Sequence, residues 1–137
     1  MDLKINNISF QGKSEILYGL KRAAAISRTA ALAENNYIQS RLCMTKFEQR
    51  TAYDAALRAY FDMVTIDEEF ANSVNNFNSE ELKYVKKELS PIETDSGVVT
   101  PFDIFRKTLL GVMKENKTIE KTENKGILGI LFDKLNS

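Results

Sequence analysis

Three helix-starting signals divide the second half of the chain and limit most strongly how it can fold. Thr-Ile-Asp-Glu at 65–68 and Asn-Ser-Glu-Glu at 78–81 each place a Glu three residues after a side chain that can cap a helix. Thr-Pro-Phe-Asp at 100–103 gives the same type of signal and adds Pro at the first helical position, where its fixed φ suits the helix. The second half of the chain is therefore predicted to form short helices.

The ends of these helices are marked less sharply than their starts. We expect the first helix to end near Asn75 and the third near Asn116. The Ser-Pro pair at 90–91 stops the middle helix near Leu89, because a residue before Pro disfavours helical backbone. Residues 91–99 are predicted to be a loop. The residues expected to face the core are Phe70, Val74, Leu82, Val85, Leu89, Phe102, Phe105, Leu109, Val112 and Met113.

The first half of the chain shows helical periodicity over a longer distance. Apolar residues recur at three- and four-residue steps over 15–34, and Ser14 can cap this helix. Its alanines would let a neighbouring helix approach closely. The Asn pair at 35–36 is the first plausible break, and a second helix is predicted over 37–64. One continuous helix over 15–64 is the alternative, which is disfavoured because the apolar positions keep no strict heptad.

Together these patterns predict an all-α protein, a small irregular helical bundle built on two long antiparallel N-terminal helices. Shorter helices pack across that pair, and a short apolar helix ends the chain. The predicted organisation is an extended N-terminal arm at 1–13, a helical domain at 14–116, a polar linker at 117–125 and an apolar docking segment at 126–137.

The C-terminal segment is the most apolar part of the chain and begins abruptly at Gly126. As a helix it presents a candidate docking surface, and burying four large side chains of it contributes roughly 6–10 kcal/mol before entropy. The residues of this surface are Ile127, Leu128, Leu131, Phe132 and Leu135. This surface is expected to pack against the protein's own core, against a partner protein or second copy, or against a membrane surface. The membrane is disfavoured because the segment is short and has few basic neighbours.

The chain contains no His and a single Cys, Cys43, which removes most familiar catalytic and metal-binding arrangements. Histidine-dependent triads and di-iron sites of the Glu-x-x-His type are excluded, and zinc would need several Cys or His ligands. Cys43 lies mid-helix in the prediction without an activating partner, so we interpret it as structural. No catalytic residue, metal ligand or cofactor motif is found, and we expect a non-enzymatic protein.

Charge limits the partners that the chain can attract. The 19 basic residues balance the 19 acidic ones, so no overall field favours nucleic acid or an anionic membrane. Nucleic-acid binding through the basic first two helices remains a weaker alternative, although acidic residues interrupt their cations. Those cations are Lys21, Arg22, Arg28, Arg41, Lys46, Arg50 and Arg58. The five tyrosines occur at core spacing and are predicted to be packing residues.

The function expected from these observations is that of a small helical interaction or accessory protein. The competing hypothesis is an enzyme or ligand-binding bundle that uses Tyr, Lys and carboxylate groups. The chain starts with no secretory signal and has no stretch long enough to span a membrane. Its lone Cys suits a reducing compartment, so the cytoplasm is predicted. Its 13 Lys against 6 Arg, with 11 Asn and 11 Ile, would suit an AT-rich bacterial or phage genome.

Overall fold

The computed structural model describes residues 12–36, 46–64, 68–95, 97–116 and 121–136, which contain six helices and one small hairpin. The predicted all-α helical class is confirmed. In chain order the elements are α1 (Lys13–Asn36), α2 (Lys46–Asp62), α3 (Glu68–Asn76), α4 (Ser79–Glu88), β1 (Ile92–Thr94), β2 (Gly97–Val99), α5 (Pro101–Asn116) and α6 (Lys121–Asn136).

Helix α1 is the central element and packs against α2, α3, α4, α5 and β2. Its buried face confirms the predicted apolar pattern and consists mostly of small side chains, which allows close approach. The buried residues are Ile16, Leu20, Ala23, Ala24, Ala30, Ala31 and Ala33. The helix starts one residue before the predicted cap, because the Gly12 carbonyl already accepts the Ile16 amide at 3.1 Å. Ser14 therefore lies inside the helix and does not cap it.

Gly19 lies at a close approach between α1 and the end of α2. A Cβ atom placed on Gly19 would lie 2.6 Å from Val64 Cγ2 and 3.2 Å from the Tyr60 carbonyl oxygen. On one continuous helix Gly19 and Val64 would be about 68 Å apart, so the alternative of a single helix over 15–64 is excluded. The start of α1 therefore lies beside the end of α2. Residues 37–45, the first part of the predicted second helix, lie outside the described residues.

Helices α3 and α4 form a tight elbow with a well-formed cap at its centre. The Asn78 side chain accepts the Glu81 amide at 2.8 Å, and the Glu81 carboxylate accepts the Asn78 amide at 3.0 Å. This is the predicted capping box. Phe70 and Val74 are buried on α3, and Leu82 and Val85 are buried on α4, as predicted. The predicted signal at 65–68 falls mostly outside the described residues.

The segment predicted to be a loop, 91–99, contains a two-stranded antiparallel hairpin, and the prediction is wrong here. Ile92 pairs with Val99 and Thr94 with Gly97. The turn depends on Gly97, whose φ of 124° is a conformation that favours glycine. The Thr94 hydroxyl also donates to the Gly97 carbonyl at 2.7 Å. Strands of three residues are too short to show an alternating pattern in the sequence.

Helix α5 begins at Pro101 and ends at Asn116, as predicted. The Asp103 amide donates to the Thr100 carbonyl at 3.1 Å, and the Thr100 hydroxyl donates to the Asp103 carboxylate at 2.9 Å. Further along, the Phe105 ring meets the Phe61 ring of α2 edge-on, with centroids 5.2 Å apart. Helix α5 therefore closes the core against α1 and α2.

Helix α6 packs against α3 and α4 and completes the core from the other end of the chain. It begins at Lys121, five residues before the predicted start of the apolar segment at Gly126. Its first turn thus falls within the predicted linker 117–125, of which residues 117–120 lie outside the described part of the chain. Among the described helices, none is both long and apolar enough to cross a membrane.

Candidate interaction surface

The apolar face of α6, our candidate docking surface, is turned inward. Leu128, Leu131 and Leu135 are buried in the common core, and Ile127 and Phe132 are half-buried against it. The Phe132 ring also meets the ring of Phe102 edge-on, with centroids 5.7 Å apart. The sequence left open whether this face covers the protein's own core or another molecule, and in the structure it covers the core.

Large exposed side chains instead gather around the start of α1. Tyr18 and Tyr84 are 48% and 46% exposed, and Met63 is 39% exposed. Single exposed apolar residues are normal on a protein surface, whereas a group of them marks a contact site. We call this group and the side chains between its members the Tyr–Arg patch. Its members are Tyr18, Lys21, Arg22, Tyr60, Met63 and Tyr84.

Three parts of the fold bring the patch together. Helix α1 contributes Tyr18 and both cations, and α4 contributes Tyr84. The end of α2 contributes Tyr60, with Met63 directly after it. These two residues reach the patch because Gly19 lets the end of α2 approach: a Cβ on Gly19 would lie 3.9 Å from the Met63 Cβ. The absence of a side chain at Gly19 therefore shapes the surface as well as the core.

The two cations of the patch lie against aromatic rings. The Arg22 Cζ is 5.6 Å from the centroid of the Tyr60 ring, and the Lys21 Nζ is 5.8 Å from that of Tyr84. Both distances are typical of cation–π contacts. The rings reduce the freedom of two long side chains without neutralising their charge, so the patch presents a partly ordered positive centre with aromatic edges.

Phenol groups dominate the electrostatic surroundings of Arg22. A hydrogen bond with the Tyr60 hydroxyl raises the pKa of Arg22, and the electrostatic effects of Tyr60, Tyr18 and Tyr84 raise it further. The Tyr84 hydroxyl is coupled to a carboxylate instead, since its hydrogen bond to Glu88 raises the pKa of the Tyr84 phenol. Because a guanidinium stays protonated in proteins, Arg22 carries a positive charge at neutral pH.

The sequence did not reveal this surface. All five tyrosines were predicted to be packing residues, and for Tyr18 and Tyr84 that prediction is wrong, because about half of each side chain is exposed. The spacing of Tyr18 to Arg22 places both on one face of a helix and was the available signal. The contributions of Tyr60 and Tyr84 depend on tertiary packing, which no local pattern contains.

A concave feature lies between α1, α2 and α5. This cleft has a volume of about 210 Å³. Its polar lining includes Tyr53, Lys107 and the carboxylates of Asp54 and Asp103, the residue types predicted for a ligand-binding bundle. Asp54 already accepts a hydrogen bond from the Arg58 guanidinium at 3.1 Å. The cleft is small for a ligand site, since such sites typically enclose about 300–1,000 Å³.

The cations of the first two helices do not form one stripe. Lys21 and Arg22 belong to the Tyr–Arg patch, whereas Arg50 lines the cleft and Arg58 faces Gly111 of α5. Arg28 has Glu88 beside it, with a nitrogen–oxygen distance of 3.8 Å. In the part of the chain that is described, the predicted basic surface is thus divided between separate places.

Neither a metal site nor a comparison with known proteins assigns a function to the described part of the chain. Within the described ranges, no group of three or more Cys, Asp or Glu side chains is arranged to hold a metal ion. Cys43 lies outside those ranges. Comparisons with protein-family models, with curated proteins and with solved structures give no match.

Proposed function

We propose that this chain is a small non-enzymatic helical interaction protein and that the Tyr–Arg patch is its contact surface. The observation that carries the proposal is the exposed pair Tyr18 and Tyr84, both of which influence the electrostatics of Arg22. Tyrosine, arginine and methionine are the residue types enriched at protein interfaces, and tyrosine and arginine dominate their energetic centres. The patch combines all three types.

The state of the patch side chains supports the same proposal. A partner must order the side chains that it contacts, which costs about 0.5–1.5 kcal/mol for each long one. Contacts with Tyr60 and Tyr84 already restrict Arg22 and Lys21, so part of that cost is met before binding. The surface is therefore better prepared for a partner than scattered exposed residues would be.

Site-specific photocrosslinking tests the proposal. A benzoylphenylalanine at position 63 replaces Met63 within the patch, and one at position 98 replaces Val98, which is exposed on the hairpin and serves as the control. In cells of the source organism we expect a discrete adduct from position 63 and none from position 98. The adduct should disappear when Tyr18 and Tyr84 are changed to Ala. Equal adducts from both positions, or none from position 63, would contradict the proposal.

Partner binding or self-association through the C-terminal segment would require α6 to leave the core, so the proposal does not depend on it. A cytoplasmic location and a bacterial or phage origin remain part of the proposal and rest on the sequence alone. Fractionation of the source cells checks the location, with the protein expected in the soluble cytoplasmic fraction.

Small-ligand binding in the cleft is the second candidate function, favoured by the convergence of Tyr53, Lys107 and two carboxylates there. Glutamate, acetate and phosphate are suitable probes because each carries an anionic group that Lys107 can bind. A rise in melting temperature with one probe that Lys107→Ala abolishes would support this candidate. No rise with any of the three would count against it.

A further inference from the structure

We infer that the Tyr–Arg patch receives an acidic segment of a partner protein. One carboxylate lies between Lys21 and Arg22, and apolar side chains beside it pack against Tyr18 and Met63. The inference rests on the proposed function and adds the chemistry of the partner.

The cations of α1 differ in whether a carboxylate lies beside them. The helix has four cations with described side chains, and two of them have a carboxylate beside them: Lys13 lies 3.0 Å from Glu81, and Arg28 lies 3.8 Å from Glu88. Lys21 and Arg22 form no ion pair with any described residue, and their described contacts are with the tyrosine side chains of Tyr84 and Tyr60. The unmatched positive charge of α1 is thus concentrated in the patch.

The chemistry of the two cations carries the second step. A guanidinium has five donors in a planar fork, which fits a carboxylate through two parallel hydrogen bonds. The hydrogen bond with the Tyr60 hydroxyl uses one part of the Arg22 guanidinium, and the remaining N–H donors can bind a carboxylate. A carboxylate held there also attracts the adjacent Lys21 ammonium. The half-exposed Tyr18 ring and Met63 offer apolar contact to the residues next to it.

The surroundings favour a protein over a nucleic acid. A nucleic acid needs several cations that follow its phosphates, and its bases need open ring faces on which to stack. The patch has two cations, which lie over the rings of Tyr60 and Tyr84.

The same charges disfavour a second copy of this chain. A two-fold contact centred on the patch would place the same surface on both sides. Lys21 and Arg22 of one copy would then meet those of the other, and like charges would repel. An acidic partner relieves the unmatched charge, whereas a second copy doubles it.

Peptide selection on the immobilised full chain tests the inference. Random peptides displayed on phage are selected, resynthesised with a fluorescent label and measured by anisotropy. We expect enrichment of Asp or Glu next to aromatic or aliphatic residues. The double variant Lys21→Gln with Arg22→Gln should bind these peptides at least tenfold more weakly. Lys114→Gln, at an exposed position near the end of α5, is the control and should bind like the wild type.

Other outcomes separate the inference from the proposed function. Enrichment of neutral or basic peptides, or binding that the double variant retains, would overturn the acidic partner while a crosslink from position 63 upholds an interaction role. Binding of double-stranded DNA in place of peptides would overturn it in favour of nucleic acid. A dimer in sedimentation equilibrium that Arg22→Gln disrupts would identify a second copy as the occupant. Failure to enrich any peptide would also overturn the inference.

Discussion

The Lys134 ammonium lies 2.9 Å from the carbonyl oxygen of Phe77, at the elbow between α3 and α4. The same ammonium also donates to the carbonyls of Val74 at 2.9 Å and Asn75 at 3.0 Å. Carbonyls at the end of a helix lack partners within it and carry partial negative charge. One side chain near the end of the chain therefore caps α3 and holds α6 in place.

A second lysine, Lys13 at the start of α1, contacts the same elbow. The Lys13 ammonium donates to the Asn76 carbonyl at 3.2 Å and lies 3.0 Å from the Glu81 carboxylate. It is also 5.8 Å from the centroid of the Phe77 ring. The first helix and the last helix of the described chain thus meet the elbow through one cation each.

Lys134→Met should lower the free energy of unfolding by about 1.5–3 kcal/mol, the range for hydrogen bonds made by charged groups. The substitution keeps an unbranched apolar stem and removes the donors, so three helix-end carbonyls lose their partner. Urea denaturation measures the change. Lys83→Met, at an exposed position of α4, is the control and should shift the midpoint little. Equal midpoints for the two variants would show that the contacts with the elbow contribute nothing.

Gly19→Ala should destabilise the protein by about 1–3 kcal/mol, although Ala is the better helix former, because the added methyl would overlap Val64 Cγ2. The matched control is Gly129→Ala on α6, where a Cβ would meet nothing within 4 Å. That change should stabilise the protein by about 0.5–1 kcal/mol. Thermal unfolding of both variants measures the two effects. A gain in stability at position 19 would disprove the close approach of α1 and α2.

Ser27→Ala should stabilise the protein by about 1 kcal/mol. Ser27 is fully buried on α1, and its hydroxyl has no hydrogen-bond partner among the described residues. Removing the hydroxyl removes the cost of burying a polar group without a hydrogen bond. The control is Thr29→Ala, because the exposed Thr29 hydroxyl donates to the Ala25 carbonyl at 3.1 Å. Chemical denaturation should show a gain at position 27 alone; a loss there would indicate that the hydroxyl has a partner.

Glu81 should make the free energy of unfolding depend on pH under acidic conditions. Hydrogen bonds from the Asn78 amide and from Lys13 hold the pKa of the Glu81 carboxyl below its usual value of 4.5. A carboxyl with a lowered pKa contributes stability above the pKa of the unfolded chain, and the contribution disappears as pH falls through the folded value. Glu81→Gln should therefore flatten the fall in unfolding midpoint below about pH 4.5, whereas Glu80→Gln should leave the fall intact. A fall that Glu81→Gln leaves as steep as before would refute this coupling.

Leu131→Asp should cost about 3–5 kcal/mol, the range for a buried charge without a partner. Leu131 is completely buried, whereas its neighbour Ile130 is 40% exposed. Ile130→Asp is therefore a control that adds the same charge one residue away. Circular dichroism melts of the two variants should differ widely. Similar melts would mean that α6 does not close the core in solution.

Local signals in the sequence predicted the helices well and the hairpin poorly. The caps at Asn78 and Thr100 involve residues three positions apart, so the sequence contains all of their parts. Helix propensity alone disfavours a glycine at position 19. The residue that needs its missing side chain, Val64, follows α2 and is distant in sequence. Tyr60 and Tyr84 reach the patch for the same kind of reason: their neighbours in space are distant in sequence. The sequence showed that one face of α6 is apolar, but it did not show which part of the molecule packs against that face.

The packing of α1 against α5 joins segments separated by residues 37–100. At 5–20 residues per second, synthesis of the roughly eighty residues from the end of α1 to the end of α5 takes roughly 4–16 s. During that time the surface of α1 that later meets α5 is not yet covered by it. Most helical proteins rely on local contacts and fold quickly. Because α1 can complete its packing only after α5 has been made, the nascent chain exposes part of its core for longer than a bundle with purely local contacts would.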